Sequence, residues 1–177
     1  MRDLHTVIPK SRRVNRGKMS MADLASYASE IGAKYVLLVS RWKGGPGKLE
    51  FYQVEGETLR LVPPLIYLKG VRLQRQYRVM WRKLRIRPRR LLTVKPPPGE
   101  ALKIAEALSV YFNSQGLVKK PENPEKGTIY MEVSPKDGVL RITFHSAVEG
   151  EIVEIGPALK LRHVIWRTEK PESGSSS

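Results

Sequence analysis

"SMADLASYASEIGAKYVLLVS" occupies residues 20–40 and holds a helix and a strand back to back. Ser20 is a good N-cap, and Asp23, three residues on, completes a capping-box pattern. Leu24, Tyr27, Ala28 and Ile31 recur on one helical face, and Gly32 is a natural stop. "KYVLLVS" (34–40) then changes to a run of apolar and β-branched residues, which predicts a buried strand.

Working outward, "KGGPGK" (43–48) is a turn and "KLEFYQVEG" (48–56) alternates as a returning strand. "TLRLV" (58–62) and "PLIYLKGV" (64–71) read as two further strands. "VKPPPGE" (94–100) is the strongest boundary, because three consecutive prolines admit neither helix nor central strand. "GEALKIAEALSVYFNS" (99–114) is a second helix with Ala101, Ala105, Leu108 and Phe112 on one face. "GLVKKPENPEKG" (116–127) is a polar loop. "TIYMEVSPKDGVLRITFHS" (128–146) is a hairpin turning at Asp137-Gly138. "EIVEIGPALKLRHVIW" (151–166) supplies two strands, or a strand and a turn.

Laid side by side, the two parts of the chain repeat one order: helix, strand, glycine-containing turn, strand, then "VEG" at 54–56 and again at 148–150. Each continues in a proline-led apolar stretch, "PPLIYLKGVRLQR" (63–75) or "GPALKLRHVIWR" (156–167). The expected architecture is α/β in two similar halves, about 1–93 and 94–167, within one domain over 1–170. Residues 168–177 form a solvated, disordered tail.

The 177 residues carry a net charge of +15, and 41% are hydrophobic, enough for a folded core. Two segments hold the excess: residues 1–22 have six basic side chains to one acidic, and residues 58–99 have twelve to none. Nine of the twenty residues in "VRLQRQYRVMWRKLRIRPRR" (71–90) are Arg or Lys. An unneutralised positive field of this kind suits a phosphate-rich partner. Arg dominates over Lys, which favours bidentate phosphate contacts. Tyr77 and Trp81 lie among the cations, as base stacking on single-stranded RNA requires. The candidate RNA-binding residues here are Arg72, Arg75, Arg78, Trp81, Arg82, Lys83, Arg85, Arg87, Arg89 and Arg90. A solvated charged face and a basic segment on an anionic membrane are the competing readings. In "PKSRRVNRGKMS" (9–20), Arg12, Arg13, Arg16 and Lys18 surround Gly17 just before the Ser20 cap. Cations and free backbone N–H groups beside a helix N-terminus make a natural phosphate seat. An ordinary connection into the helix reads equally well.

Other chemistries find little support. "GGPGK" departs from a phosphate loop, because Trp42 stands where the first Gly belongs and Leu49 follows Lys48. His5, His145 and His163 have no metal-ligand spacing. His145 alternates with Phe144 and Ile142 and should face away from them. Acidic residues are scattered, with no paired motif to seat a metal or act as acid and base. No catalytic activity, cofactor or metal is expected. The chain has no Cys. That fits an intracellular, cytoplasmic location, and no run approaches the ~20 apolar residues of a membrane span.

"RDLHTVIPKSRRVNRGKMSMADLASYASEIGAKYVLLV" (2–39), "WKGGPGKLEFY" (42–52), "IYLKGVRL" (66–73) and "EIGPALKLRHVIW" (154–166) together resemble the Brix-domain ribosome-biogenesis proteins, the compact archaeal branch above all. The similarity covers roughly residues 1–167. It implies two α/β halves, each a small mixed sheet with helices, like the anticodon-binding domain of class II aminoacyl-tRNA synthetases. It implies binding to ribosomal RNA in a pre-ribosomal particle, alongside other assembly proteins and away from membranes. The family's closing motif, likened to an RNA-polymerase sigma-factor segment, falls here on Gly156, Pro157, Leu159, Leu161 and Arg162. One departure stands out. The family opens with a strand carrying a Thr-Ser-Arg-like motif, whereas this chain starts at "MRDL", inside the helix that follows. The first half should therefore show one strand fewer than the second, and "YVLLV" should lose cover.

The expected function is non-catalytic rRNA binding during ribosome assembly. Residues 60–95 capture the RNA electrostatically, loop 10–18 adds phosphate contacts, and Tyr77 or Trp81 stacks on unpaired bases. The alternatives are a basic scaffold for acidic proteins and the RNA-binding part of a tRNA-processing enzyme.

Overall fold

Pro9 limits the first helix to a turn and a half. In a computed structural model, which describes residues 2–42, 45–77 and 88–167, α1 spans Arg2–Val7 and buries Leu4 and Val7. α2 spans Met21–Glu30 behind the expected capping box. Ser20 Oγ accepts from the Asp23 backbone N–H at 3.1 Å, and the Asp23 carboxylate accepts from the Ser20 N–H at 2.9 Å. Leu24, Ala25 and Ala28 are buried against β2 and β3, while Ile31 closes the helix and is exposed.

β1 (Tyr35–Trp42) and β2 (Gly45–Glu55) pair antiparallel, with Trp42 opposite Gly45; the last four residues of "KGGPGK", expected as a turn, belong to β2, and Lys43 and Gly44 lie outside the described residues. β3 is one strand, Thr58–Arg72, where two were expected. Its register against β2 passes from Val62 opposite Phe51 to Ile66 opposite Leu49. The extra residues, which include Pro63 and Pro64, form a bulge. Prolines have no N–H for a ladder, and a bulge is where a strand tolerates that. A 3-10 turn, Gln74–Gln76, follows.

β4 (Arg90–Val94) leads through the prolines into α3 (Glu100–Tyr111). Ile104, Ala105, Leu108 and Phe112 are buried along that helix, whereas Ala101 is only partly so. β5 (Leu117–Val118) lies in the polar loop. β6 (Thr128–Lys136) and β7 (Val139–Val148) form the predicted hairpin. Asp137 and Gly138, with φ of 54° and 71°, supply the left-handed pair such a turn needs. β8 (Glu151–Glu154) and β9 (Ala158–Ile165) complete the chain.

Among the described residues, nine strands join in one sheet of order β1-β2-β3-β9-β7-β6-β4-β5, with β8 beside β7. The α/β class holds, and the sheet is mixed. The expectation that each half carries its own mixed sheet needs correction. β1–β3 pair only antiparallel, the parallel pairs are β4 with β5 and β4 with β6, and β3 bonds directly to β9. β4 pairs with β5 and β6 and so lies beside the later strands.

One core runs across the sheet, from Leu4, Leu49, Phe51 and Ile66 to Leu108, Met131, Phe144 and Leu159. Each such side chain contributes about 1.5–3 kcal/mol through burial. α3 links distant strands here. Tyr111 and Phe112 pack on Phe51 with ring centroids at 5.0 and 6.0 Å, and Tyr111 also meets Tyr35 at 5.0 Å. β1 is the exception to burial. Every residue from Tyr35 to Ser40 is only half-buried, because β1 is the edge strand and pairs with β2 alone among the described residues. The run read as a buried strand is therefore partly covered, in keeping with the loss of cover expected for "YVLLV".

Candidate nucleic-acid interface

Between α1 and α2, loop 10–18 holds Arg12, Arg13, Arg16 and Lys18, all exposed. Arg13 donates to Asn15 Oδ1 at 2.8 Å, and Arg16 Nε donates to the Met19 carbonyl at 2.9 Å. The Arg12 guanidinium lies 5.6 Å from the Tyr27 ring centroid. Gly17, at φ 53°, has no atom near the place of a Cβ, so it serves the turn and not a close approach. The phosphate seat is expected at the start of α2. The capping box occupies the Ser20 and Asp23 N–H groups, and it puts a carboxylate there. Its hydrogen bonds to the Ser20 side chain and backbone hold the Asp23 carboxyl below its usual range. The loop therefore places its cations beside a capped helix start.

Arg72 closes β3, and Arg75 sits on the 3-10 turn; both are exposed. Gln74 between them is buried and donates three bonds. Its backbone N–H donates to Asp3 Oδ2 at 2.8 Å, and its side-chain amide donates to Thr6 Oγ1 at 2.7 Å and to the Gly156 carbonyl at 3.1 Å. These bonds bind α1 to the turn. Loop 10–18 leaves α1 directly, and Ser11 is tied back to it by Oγ donating to the Ile8 carbonyl at 2.7 Å. The two basic segments so start from one junction.

Tyr77 is not available for base stacking. Its ring lies against Gly156 on one side, the Arg72 guanidinium sits 4.1 Å from its centroid, and its hydroxyl donates to Glu154 at 2.6 Å. Burial, then the bond to Glu154, pushes its phenol well above the usual range. Arg90 is likewise engaged within the fold. It pairs with Glu125, and its Nε donates to Thr128 Oγ1 at 2.9 Å. Arg89 is exposed, and only its backbone N–H is anchored, on the Gly127 carbonyl at 2.8 Å. Arg78, Trp81, Arg82, Lys83, Arg85 and Arg87 lie outside the described residues. Among the described residues, Arg90 is the one candidate cation found in an ion pair.

His145 faces away from Phe144 and Ile142, as expected, and its Nε2 lies 2.9 Å from Thr143 Oγ1 and 3.6 Å from Glu132. Burial lowers its pKa, and outweighs the opposing pull of Glu132 and Glu154. His5 bonds to Ser11, and His163 is exposed on β9. Among the described residues no group of three or more His, Asp or Glu stands together as a metal site, and no helix is long and apolar enough to cross a membrane.

The fold and these side chains can be set beside known proteins. A probable Brix domain-containing ribosomal biogenesis protein of Aeropyrum pernix is 32% identical over 123 residues, which is 69% of this chain and 66% of that protein. The crystal structure of a probable ribosomal biogenesis protein from Aeropyrum pernix superposes with a TM-score of 0.68 at 29% identity, covering 90% of this chain and 84% of that one. The chain belongs to the Brix-domain family. A Brix relative from Thermococcus kodakarensis is 38% identical over 74 residues, 42% of this chain and 35% of the relative. The matches thus span about two thirds of the first relative's length and about a third of the second's. No family model matches the chain. Within this Brix domain, the closing Gly156 proves to be a packing partner of Tyr77. Nothing local in the sequence signals that contact, because the two residues stand seventy-nine positions apart in the chain.

Proposed function

We propose that this protein is a ribosome-assembly factor that binds ribosomal RNA in the pre-ribosomal particle without catalysis, acting in the cytoplasm beside other assembly proteins. The names of its Brix relatives support the biogenesis role. The observation that carries RNA binding is the Gln74 junction, which draws Asp3 and Thr6 of α1 to the base of the Arg-rich segment. Arg72 and Arg75 then stand at the head of one basic track and Arg12, Arg13, Arg16 and Lys18 on the loop leaving the same helix. Arg78, Trp81, Arg82, Lys83, Arg85, Arg87 and Arg89 follow in sequence as further RNA contacts, with Trp81 as the stacking residue.

The sheet supports a reading in two similar halves meeting at β3 and β9. α2, β1, β2 and β3 find counterparts in α3, β6, β7 and β9, and β4 beside β6 has no counterpart beside β1 among the described residues. Each half then resembles an anticodon-binding domain of class II aminoacyl-tRNA synthetases, a fold that presents RNA-facing surface.

The test is fluorescence anisotropy with single-stranded rRNA fragments and, in parallel, polyglutamate. Salt-sensitive binding to RNA and none to polyglutamate is expected. Binding to polyglutamate alone would overturn the proposal in favour of an acidic-protein scaffold.

A further inference from the structure

Arg72 and Tyr77 are five positions apart. Along a continuing strand they would stand about 16 Å from each other, at roughly 3.3 Å per residue. The chain turns instead. In the 3-10 turn the Gln76 N–H donates to the Leu73 carbonyl at 2.9 Å, and the Tyr77 N–H donates to the Gln74 carbonyl at 3.0 Å. The Gln76 side chain closes the turn by accepting from the Leu73 N–H at 2.6 Å. Tyr77 is thereby carried back to the end of β3, and the Arg72 guanidinium stands over its ring, 4.1 Å from the centroid. Cation and aromatic face attract at that distance.

The ring is itself held in place. Its hydroxyl donates to Glu154 at 2.6 Å, and β8 sets Glu154 opposite His145 of β7. Cδ2, Cε2 and Cζ of the ring crowd Gly156, which leaves no room for a Cβ. Gln74, at the start of the turn, is buried and bonded to Asp3, Thr6 and Gly156. Arg72, in contrast, is exposed. One of its N–H groups donates to the Gln76 carbonyl at 3.3 Å. Among the described residues it enters no ion pair, and its remaining N–H groups find no acceptor. A guanidinium that is stacked, exposed and incompletely bonded is a fork already set for an anion.

We infer that Tyr77 is a positioning residue: its ring holds Arg72 as a preorganised fork that grips one backbone phosphate of the RNA. The inference rests on the RNA-binding reading above and gives Tyr77 a part in it other than base stacking. Tyr77 acts through Arg72 and touches no RNA itself. A free arginine gives up rotamer freedom when it binds, and stacking beforehand removes that cost. A planar guanidinium can lie on an aromatic ring and still offer its edge to a phosphate by two bonds, which an ammonium cannot do. A carboxylate would fit the same fork. RNA is favoured because Arg72 adjoins the Arg-rich segment, where a regular series of phosphates is met in turn.

The experiment measures binding of a labelled uridine-rich single strand to the full chain across a salt series. Arg72→Gln should make the slope of log K against log salt shallower by about 0.7, the share of one phosphate. Tyr77→Leu removes the ring face and keeps Arg72, so affinity should fall about three- to tenfold with the slope unchanged. Tyr77→Phe keeps the ring and should keep the affinity. In an Arg72→Gln background, Tyr77→Leu should cost nothing further, because the residue it positions is gone. Arg72→Lys leaves Tyr77 and its packing intact. It should also lose about three- to tenfold at an unchanged slope, and it decides the matter if Tyr77→Leu unfolds the chain. Suppose RNA binds and reversal of Arg82, Arg85 and Arg89 to Glu weakens it. Additive losses in the double variant, or full affinity in Arg72→Lys, then show that Tyr77 does not act through Arg72. The inference fails and the RNA reading survives. No RNA binding by the unaltered chain defeats both. The same coupling found with polyglutamate and not with RNA would assign the fork to an acidic protein and overturn the inference.

Discussion

The Tyr77 ring lies so close to Gly156 that a Cβ at 156 would stand 2.4 Å from Tyr77 Cε2, and Gly156 itself holds φ at 70°. Both facts demand glycine. Gly156→Ala should lose about 2–4 kcal/mol, from overpacking together with left-handed backbone strain. Urea denaturation measures it. In a Tyr77→Ala background the same change should cost only the backbone share, about 1 kcal/mol. An equal loss in both backgrounds would mean that the ring contact is not what requires Gly156.

Arg89 and Arg90 are neighbours with different work to do. Arg90→Ala should lower stability by about 1–2 kcal/mol, since it strips the partner from the buried Thr128 hydroxyl. Its ion pair with the exposed Glu125 adds little. Arg89→Ala should leave the melting temperature unchanged and weaken RNA binding. Paired melting and anisotropy measurements distinguish the two.

RNA affinity should fall steeply with salt. With about six phosphates neutralised on a single strand, log K against log salt should slope near −4. Reversing Arg82, Arg85 and Arg89 to Glu should reduce affinity for every RNA sequence alike. Unchanged binding by that triple variant would remove the segment from the interface.

His145 makes stability depend on pH. Burial, its largest influence, depresses its folded pKa below the usual histidine value. The unfolded chain then binds more protons than the folded one as pH falls below about 6.5, so stability declines through that window and continues to do so down to the folded pKa. His145→Gln should flatten the decline between pH 7 and 5, read as melting temperature against pH. An identical pH profile would show that His145 is solvated in both states.

The α2 cap supplies a local test. Ser20→Ala should cost about 1 kcal/mol by freeing the Asp23 N–H, and the helical signal in circular dichroism should melt earlier.

Much of this molecule is written locally. The Ser20–Asp23 box, the Asp137-Gly138 turn and the buried stripe of Ala105, Leu108 and Phe112 all depend on residues no more than four positions from the next. Short-range spacing and turn chemistry are enough to read them. The concentration of charge in two segments is equally a property of the chain alone. The errors arose where distant parts meet. "TLRLV" and "PLIYLKGV" fuse into one strand because β2 continues past the prolines and accepts a bulge. "YVLLV" is half-covered because a strand's burial depends on which neighbours flank it, and β1 has one on a single side. Tyr77, a stacking candidate by composition, turns inward because Gly156, seventy-nine positions later, leaves room for its ring. Lys69 and Arg162 are unremarkable cations in sequence, and only the β3–β9 register shows them to be the extra residues of two bulges. Such roles depend on contacts across the sheet, which arise only when β3 and β9 are brought side by side.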